Sequence, residues 1–557
     1  MEFTQIAALL VVAGIFGIPA KLLRQPLLVG YLFAGIALGI FGIVSDLEVF
    51  SVMGKIGVTL LLFLLGLEMN LSELPSIGKV AAVTGLGQIL FTSTIGFLIA
   101  LLLGFSPFAS VYIAIALTFS STIIIVKLLG EKKDLGSLYG KISVGFLLVQ
   151  DFVAVLILIF LAGLGRGNLG AADYGVITVK ALVLFLAVWF LSKKALPVFF
   201  ERIVSGSTEL LFIASIAWAL GVASFVAGPL GFTLEIGGFL AGIALSNLPE
   251  HLQIASKTKP LRDFFLTIFF LLLGAQLIFN GGIIPILYPA IVFSIFVLVG
   301  NPIIVLAILG ALGYRKRTSF MAGLTVAQIS EFSLILMAMG NSLGHVGERE
   351  VAVVVSVGVA TMTLSTYAIL GADKLYSKIK DYLGIFERKV TKESAFTEEK
   401  KLTGHLVLVG CDRTGRSLVP FFVRKNIDFV VVDFNPKVYQ RLTADKIPVV
   451  FGDINDTDII EAANVDKASM IISTIYNYSD DITLLEHIRS LKPRPTTIFT
   501  AQTKYDAIKL YENGADYVVV PEIVAGDFIR HLFDIPGMGK NRLVKMGKKH
   551  FNRLLLK

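Results

Sequence analysis

The chain of 557 residues has one cysteine, Cys411, which excludes an internal disulfide framework and a cysteine-based zinc cluster. Charge is scarce: Asp, Glu, Lys and Arg make up 16% of the residues, where soluble domains carry about 25%. The first apolar block, Phe3 to Ala20, lacks a basic n-region and a small-x-small cleavage site, so it reads as a retained helix and not a cleaved leader. No Thr-Val-Gly-Tyr-Gly segment occurs, which argues against a potassium-channel filter. The net charge of +8 does not require nucleic acid, because membrane proteins keep basic residues on their cytoplasmic loops.

Apolar residues are plentiful, at 55% of the chain, and unevenly spread. Residues 1–380 are apolar blocks separated by short polar loops, whereas the chain from about 391 onward has an ordinary soluble composition. Two solvents are implied, lipid first and water second. A span needs about 20 apolar residues, and thirteen candidates fit: roughly 3–20, 26–43, 52–68, 78–103, 108–129, 138–163, 175–192, 208–226, 231–246, 262–279, 284–310, 319–340 and 349–374.

Loop charge supports that number. One alternate set of loops holds Lys21 and Arg24, Lys79, Lys132, Lys133 and Lys141, Lys193, Lys194 and Arg202, Lys257, Lys259 and Arg262, and Arg315, Lys316 and Arg317. The other set has little beyond Lys55, Arg166, Lys180 and Arg349. By the positive-inside rule the N-terminus lies outside and the C-terminus in the cytosol. Thirteen spans also permit two inverted six-helix repeats around a linker helix.

Ionisable groups deep in a span are expensive and functional by default. Asp151 lies in the middle of Val144–Leu161, preceded by Gln150. It is either a carboxylate paired with a neighbouring helix or a site where a proton and a cation compete for one charge. Two other spans carry polar clusters at mid-membrane: Thr118-Phe-Ser-Ser-Thr122, with Ser120 and Ser121 inside it, and Ala327-Gln-Ile-Ser-Glu-Phe332, with Gln328 and Ser330. These suit unwound backbone beside a cavity, or ordinary hydrogen bonding between helices. They fall in spans 5 and 12, equivalent positions in the two repeats. Asn301, in Val299-Gly-Asn-Pro302 of span 11, either lines the same site or satisfies a proline kink.

With these residues in view, the membrane half resembles the Kef-type branch of the cation:proton antiporter-2 family. The matching stretches are Leu28-Val-Gly-Tyr-Leu-Phe-Ala-Gly35, Gly57 through Leu64-Leu-Gly-Leu-Glu68, Phe119-Ser-Ser-Thr122, Gln150-Asp151, Gly238-Phe-Leu-Ala-Gly242 and Ala327-Gln-Ile-Ser-Glu-Phe332, covering nearly all of residues 1–375. The resemblance implies a homodimeric, thirteen-helix fold in which a six-helix core moves against a dimerisation domain, with two crossed broken helices at the midplane. It implies that Gln150-Asp151 is the ion site, a pair found in the potassium-linked branch. Some relatives place two adjacent acids there and a lysine in span 11; this chain has one acid and Asn301, which favours one proton per cation.

The remainder begins with a charged linker, Glu393–Lys401. Strand patterns follow at His405–Gly410, Phe429–Asp433, Val449–Phe451, Met470–Ser473, Thr497–Thr500 and Tyr517–Val520, with helical segments between them, a doubly wound α/β pattern. The first strand runs into Gly410-Cys-Asp-Arg-Thr-Gly415, and Asp433 ends the second strand 23 positions after Gly410. This is the dinucleotide fingerprint, except that Asp412 stands where the middle glycine lets the backbone approach a pyrophosphate. Arg413 and Arg416 partly offset that carboxylate; a Rossmann fold that no longer binds nucleotide is the alternative. With Gly452-Asp453, Gly514-Ala-Asp-Tyr517 and Pro521-Glu522, the region resembles the RCK, or TrkA-N, regulatory domain. That resemblance implies dimerisation and binding of NAD(H), AMP or ATP through Gly410, Gly415, Asp433 and Asp453, with Asp412 and Arg413 in the same loop. The chain ends in Lys540, Arg542, Lys545, Lys548, Lys549, Arg553 and Lys557 without an acid among them, which suits an anionic leaflet, an acidic protein face or simply water.

The expected organisation is therefore an all-α polytopic membrane domain over 1–383, a linker over 384–403, a cytosolic Rossmann-type domain over 404–525 and a basic tail over 526–557. The expected function is K+/H+ exchange across the plasma (cell inner) membrane, regulated by nucleotide, with no enzymatic turnover. A Na+/H+ exchanger of the same fold and a nucleotide-gated cation channel are the alternatives, and an NAD-dependent enzyme on a membrane anchor finds no identifiable acid/base residues.

Overall fold

The computed structural model describes the chain except for residues 1, 41–46, 69–77, 133, 136, 164–187, 189, 201–206, 230–231, 276–283, 389–401, 413, 456, 476, 535–538 and 556–557. The chain forms two compact units, residues 1–129 with 139–388, and residues 130–138 with 389–557. The expected linker Glu393–Lys401 and Arg413 lie outside the described residues.

The first unit is helical: α1 (Glu2–Leu22), α2 (Leu27–Ile40), α3 (Leu47–Glu68), α4 (Gly78–Leu102), α5 (Pro107–Ala116), α6 (Thr122–Glu131), α7 (Leu138–Gly163), α8 (Leu196–Phe199), α9 (Thr208–Ala227), α10 (Leu234–Leu245), α11 (His251–Ala275), α12 (Ile284–Ala311), α13 (Lys316–Leu324), α14 (Glu331–Ser342), α15 (Glu348–Leu370) and α16 (Ala372–Ile379). Among the described residues seven helices are long and apolar enough to cross a membrane. Two of the expected spans, 108–129 and 319–340, are each formed by a pair of shorter helices, α5 with α6 and α13 with α14, because each is interrupted where the hydroxyl and amide residues cluster. Helix is present at each expected span except 175–192, most of which lies outside the described residues. One boundary moves. The tenth span was expected from residue 262, but α11 starts at His251 and runs through Pro260, so Lys257, Lys259 and Arg262 extend a helix and do not form a loop. Hydropathy alone hides a polar N-terminal half of a helix that is continuous with an apolar one.

The helices pack in two groups. In one, α11 lies on α2 and α3, α10 on α3 and α9, and α1 on α2. In the other, α12 lies on α4, α13 and α15, while α14 lies on α5 and α15. Each group takes segments from both halves of the sequence. The first group is pinned by close backbone approach: a Cβ at Gly66 would stand 2.3 Å from the Phe239 carbonyl oxygen, and one at Gly242 would stand 2.0 Å from that of Phe63. Only glycine lets α3 and α10 meet at that distance, a small-residue contact of the kind that replaces the hydrophobic drive inside lipid.

The second unit holds a six-stranded, all-parallel sheet of order β3-β2-β1-β4-β5-β6. Its strands are β1 (Leu406–Val409), β2 (Phe429–Asp433), β3 (Val449–Phe451), β4 (Met470–Ser473), β5 (Thr496–Thr500) and β6 (Tyr517–Val519). Between them lie α17 (Thr414–Arg424), α18 (Pro436–Ala444), α19 (Thr457–Ala462), α20 (Tyr478–Arg489) and α21 (Lys504–Glu512). Residues of β1 are buried throughout, as expected for a central parallel strand covered on both faces. Two helices follow the sheet, α22 (Pro521–Asp534) and α23 (Lys540–Leu555), and the boundary expected at 525/526 falls inside α22.

Candidate functional site

The membrane site is organised by two interruptions. Between α5 and α6 the chain leaves the helical path over 117–121, and between α13 and α14 over 325–330. Each restart is capped by serine. The Ser121 hydroxyl accepts from the Ile124 N–H at 3.3 Å, and the Ser330 hydroxyl accepts from the Phe332 N–H at 3.2 Å. The two interruptions touch, with the Ser120 hydroxyl 3.5 Å from the Val326 carbonyl oxygen.

Backbone groups freed at membrane depth need partners, and buried side chains supply them around the first break. Asn301 Nδ2 donates to the Leu117 carbonyl at 3.2 Å, and Gln88 Nε2 donates to the Thr118 carbonyl at 3.1 Å. The Ser120 N–H donates to Gln150 Oε1 at 3.2 Å. These amides are joined in one network: Gln150 Nε2 donates to Gln88 Oε1 at 2.6 Å, Gln88 Nε2 also reaches the Thr92 hydroxyl at 3.0 Å, and that hydroxyl donates to Asn301 Oδ1 at 3.0 Å. Gln88, Thr92, Gln150 and Asn301 are fully buried.

Asp151 is 6% exposed and sits beside this network. Its Oδ2 accepts from the Thr122 hydroxyl at 2.7 Å, and Thr122 is the first residue of α6. The positive end of the α6 dipole therefore points at a carboxylate. The buried Glu331 occupies the equivalent first position of α14 and is close enough to Asp151 for their charges to interact.

The structure thus brings Asp151, Thr122, Gln150 and Ser120 together directly, and joins Thr118 to them through Gln88. Asn301 braces the break and does not touch Asp151. Gln328 stands apart, accepting from the Ser365 hydroxyl at 2.9 Å, while Ser330 serves as a cap. Sequence reading missed Gln88 and Thr92 and, on α15, Ser365 and Thr361, whose hydroxyl accepts from the Ile329 N–H of the second break at 3.3 Å. The available signal was their spacing, because each pair is four residues apart and so shares a helix face inside an otherwise apolar span. Carboxylate, hydroxyl and carbonyl oxygens at this point are the donors a hard monovalent cation takes.

In the second unit, the fingerprint loop lies at the C-terminal end of β1, where the strand order reverses towards β4. Ligands of open α/β sheets bind at this crevice. Gly410 has φ of +82°, and a Cβ at Gly415 would stand 2.0 Å from the Gly410 carbonyl oxygen. Asp433 accepts from the Cys411 N–H and the Asn435 N–H, both at 2.7 Å, which ties the β1 and β2 ends together. Arg441 donates to the Cys411 carbonyl at 3.0 Å. Asp453, buried after β3, accepts from the Asn455 N–H at 3.0 Å. Asp412 is exposed. Burial, helped by the Asp433 charge, pushes the Cys411 thiol up to about 11. Sequence reading also missed two buried acids on α20. Burial raises Asp480 well above the usual carboxylate range, with Asp453 adding to it, and burial does the same to Asp481 against a lowering bond from Ser473.

Broken helices capped around a buried carboxylate, followed by a parallel nucleotide-type sheet, define an ion-exchanging membrane protein with a Rossmann-type appendage. The chain matches the family described as "Sodium/hydrogen exchanger, transmembrane" over residues 7–370 and the TrkA-N domain over residues 406–521, and it belongs to that exchanger family. It is a cation/proton antiporter of the Kef type with a C-terminal TrkA-N domain. Among relatives, a candidate cation/proton antiporter of Escherichia coli (strain K12), YbaL, is 28% identical over 556 residues, 96% of this chain and 98% of that protein. K(+) efflux antiporter 5 of Arabidopsis thaliana is 31% identical over 381 residues, 66% of this chain and 65% of that protein. In fold, the sodium proton antiporter MjNhaP1 of Methanocaldococcus jannaschii superposes with a TM-score of 0.51 at 14% identity, over 69% of this chain and 99% of that one.

Proposed function

We propose that the protein exchanges K+ for H+ at Asp151 by alternating access, and that nucleotide bound at the β1–α17 loop regulates the exchange without being turned over. The observation that carries this reading is the Thr122–Asp151 bond at the α6 N-terminus. It sets one buried carboxylate beside oxygen donors and a helix dipole, so a proton and a cation can each neutralise it but not both at once. Gln150 belongs to the site as its positioning residue, since its carbonyl oxygen holds the Ser120 N–H of the break. The chain acts as a homodimer in the plasma (cell inner) membrane, N-terminus outside and Rossmann unit in the cytosol. Asp433 holds ribose hydroxyls of NAD(H), AMP or ATP, and Gly410, Gly415 and Asp453 contact the nucleotide with it. K+ is taken as the cation on the likeness to a relative named K(+) efflux antiporter 5.

Wild-type protein in liposomes with a preset pH gradient tests this reading. K+ should collapse the gradient at lower concentration than Na+, and one of the three nucleotides should change the rate while being recovered intact. Na+ alone being active would move the reading to Na+/H+ exchange, and K+ flux uncoupled from protons would make it a channel.

A further inference from the structure

The helix α23 contains none of the residues placed at the ion site or in the nucleotide crevice. It is 16 residues, about 24 Å long. Its residues are exposed through Phe551, with Leu543 and Val544 each 50% exposed and Phe551 60%. At 100° per residue, Leu543, Val544, Gly547 and Phe551 share one face of the helix. Arg542, Lys545, Lys548 and Lys549 occupy the opposite arc. Residues 540–557 contain no Asp or Glu.

We propose that α23 lies in the plane of the anionic cytosolic leaflet, apolar face down and basic face among the lipid headgroups. This rests on the proposed cytosolic placement of the C-terminus. An apolar stripe opposed by Lys and Arg is the pattern of interfacial helices. Charge decides between occupants. A second copy of α23 could cover the apolar face but would leave both basic arcs without a counter-charge, whereas anionic lipid covers the apolar face and offsets that charge as well. The membrane is also already present, because the same chain spans it, so α23 meets lipid at the high effective concentration of a tethered group.

The test uses full-length protein carrying Gly547→Cys with an environment-sensitive fluorophore. Gly547 has nothing within 4 Å of an added Cβ, and the buried Cys411 with its raised thiol pKa does not compete for label. The protein is reconstituted in phosphatidylcholine alone or mixed with phosphatidylglycerol, and cytosol-side exposure of the label is verified with an impermeant quencher. The probe should shift to the blue and be quenched by spin-labelled lipid only in the anionic membrane, and both signals should fade at high salt. Each basic residue near an anionic surface multiplies the bound fraction ratio by roughly five. Lys545→Gln, Lys548→Gln and Lys549→Gln together should therefore lower it about a hundredfold. A probe that stays water-exposed in both membranes overturns the proposal. So does one equally shielded in lipid and in lipid-free detergent, which would place α23 on an acidic protein face. Because the readout is fluorescence, it stands whether or not K+/H+ exchange is the transport reaction.

Discussion

Gln88→Leu removes the centre of the network that holds the first helix break. Gln88 makes three hydrogen bonds, to Gln150, Thr92 and the Thr118 carbonyl, at 2.6–3.1 Å and out of solvent. Hydrogen bonds between helices in membranes contribute about 0.6 kcal/mol each on average, which sets a floor of about 2 kcal/mol. The ceiling follows from what the leucine strands: the Thr118 carbonyl and the Gln150 amide each lose a partner while buried, at about 1–3 kcal/mol per group, or about 6 kcal/mol together. A loss of about 1.4 kcal/mol from the assembled site alone makes a tenfold change in binding. The expected outcome is a K+ half-saturation at least tenfold higher in liposomes and a thermal midpoint several degrees lower in detergent. Thr94→Val on the same helix is the control. Its hydroxyl donates to the Leu90 carbonyl at an exposed position, so it should shift stability by less than about 0.5 kcal/mol. If Gln88→Leu transports and melts like Thr94→Val, the network does not support the break and the reasoning fails.

In the Rossmann unit, Gly415→Ala places a methyl 2.0 Å from the Gly410 carbonyl oxygen, and should abolish nucleotide binding and lower the melting point of that unit, measured by calorimetry. Asp481 has a folded pKa raised by burial, so the folded chain keeps a proton the unfolded chain has released. Its contribution to stability is present below the ordinary carboxylate pKa of about 4 and is lost as pH rises towards the folded value. Asp481→Asn should therefore flatten that slope and slow hydrogen exchange of the β4 amides at neutral pH, since an amide oxygen still accepts the Ser473 bond. The Cys411 thiol, buried and raised to about 11, should resist alkylation at neutral pH until the unit unfolds, as mass spectrometry of pulsed samples will show.

Much of this architecture was legible because lipid and parallel sheets leave coarse marks. The expected and observed bounds of β2, β3 and β4 agree residue for residue, since short Val/Ile runs between polar turns leave little room for another assignment. The helix breaks were legible because hydroxyls and amides cluster at 118–122 and 328–330, where backbone groups are freed. Asp151 stood out for its depth. Gln88 and Thr92 did not, because an isolated amide and hydroxyl in an apolar span look like any satisfied polar pair until the opposing break is placed beside them. Asn301 was read with two possible roles, and its geometry assigns it to bracing Leu117. The polar start of α11 fell below the hydropathy that marks a span, although the helix is continuous through Pro260.

The most direct test of the central claim is cation-dependent collapse of a preset pH gradient in proteoliposomes, wild type beside Asp151→Asn. The amide can still accept from Thr122 but cannot carry the charge that proton and cation share. The account predicts that K+ collapses the gradient with wild-type protein and leaves it standing with the variant. Equal collapse with both proteins would contradict it, and would make Asp151 a structural group.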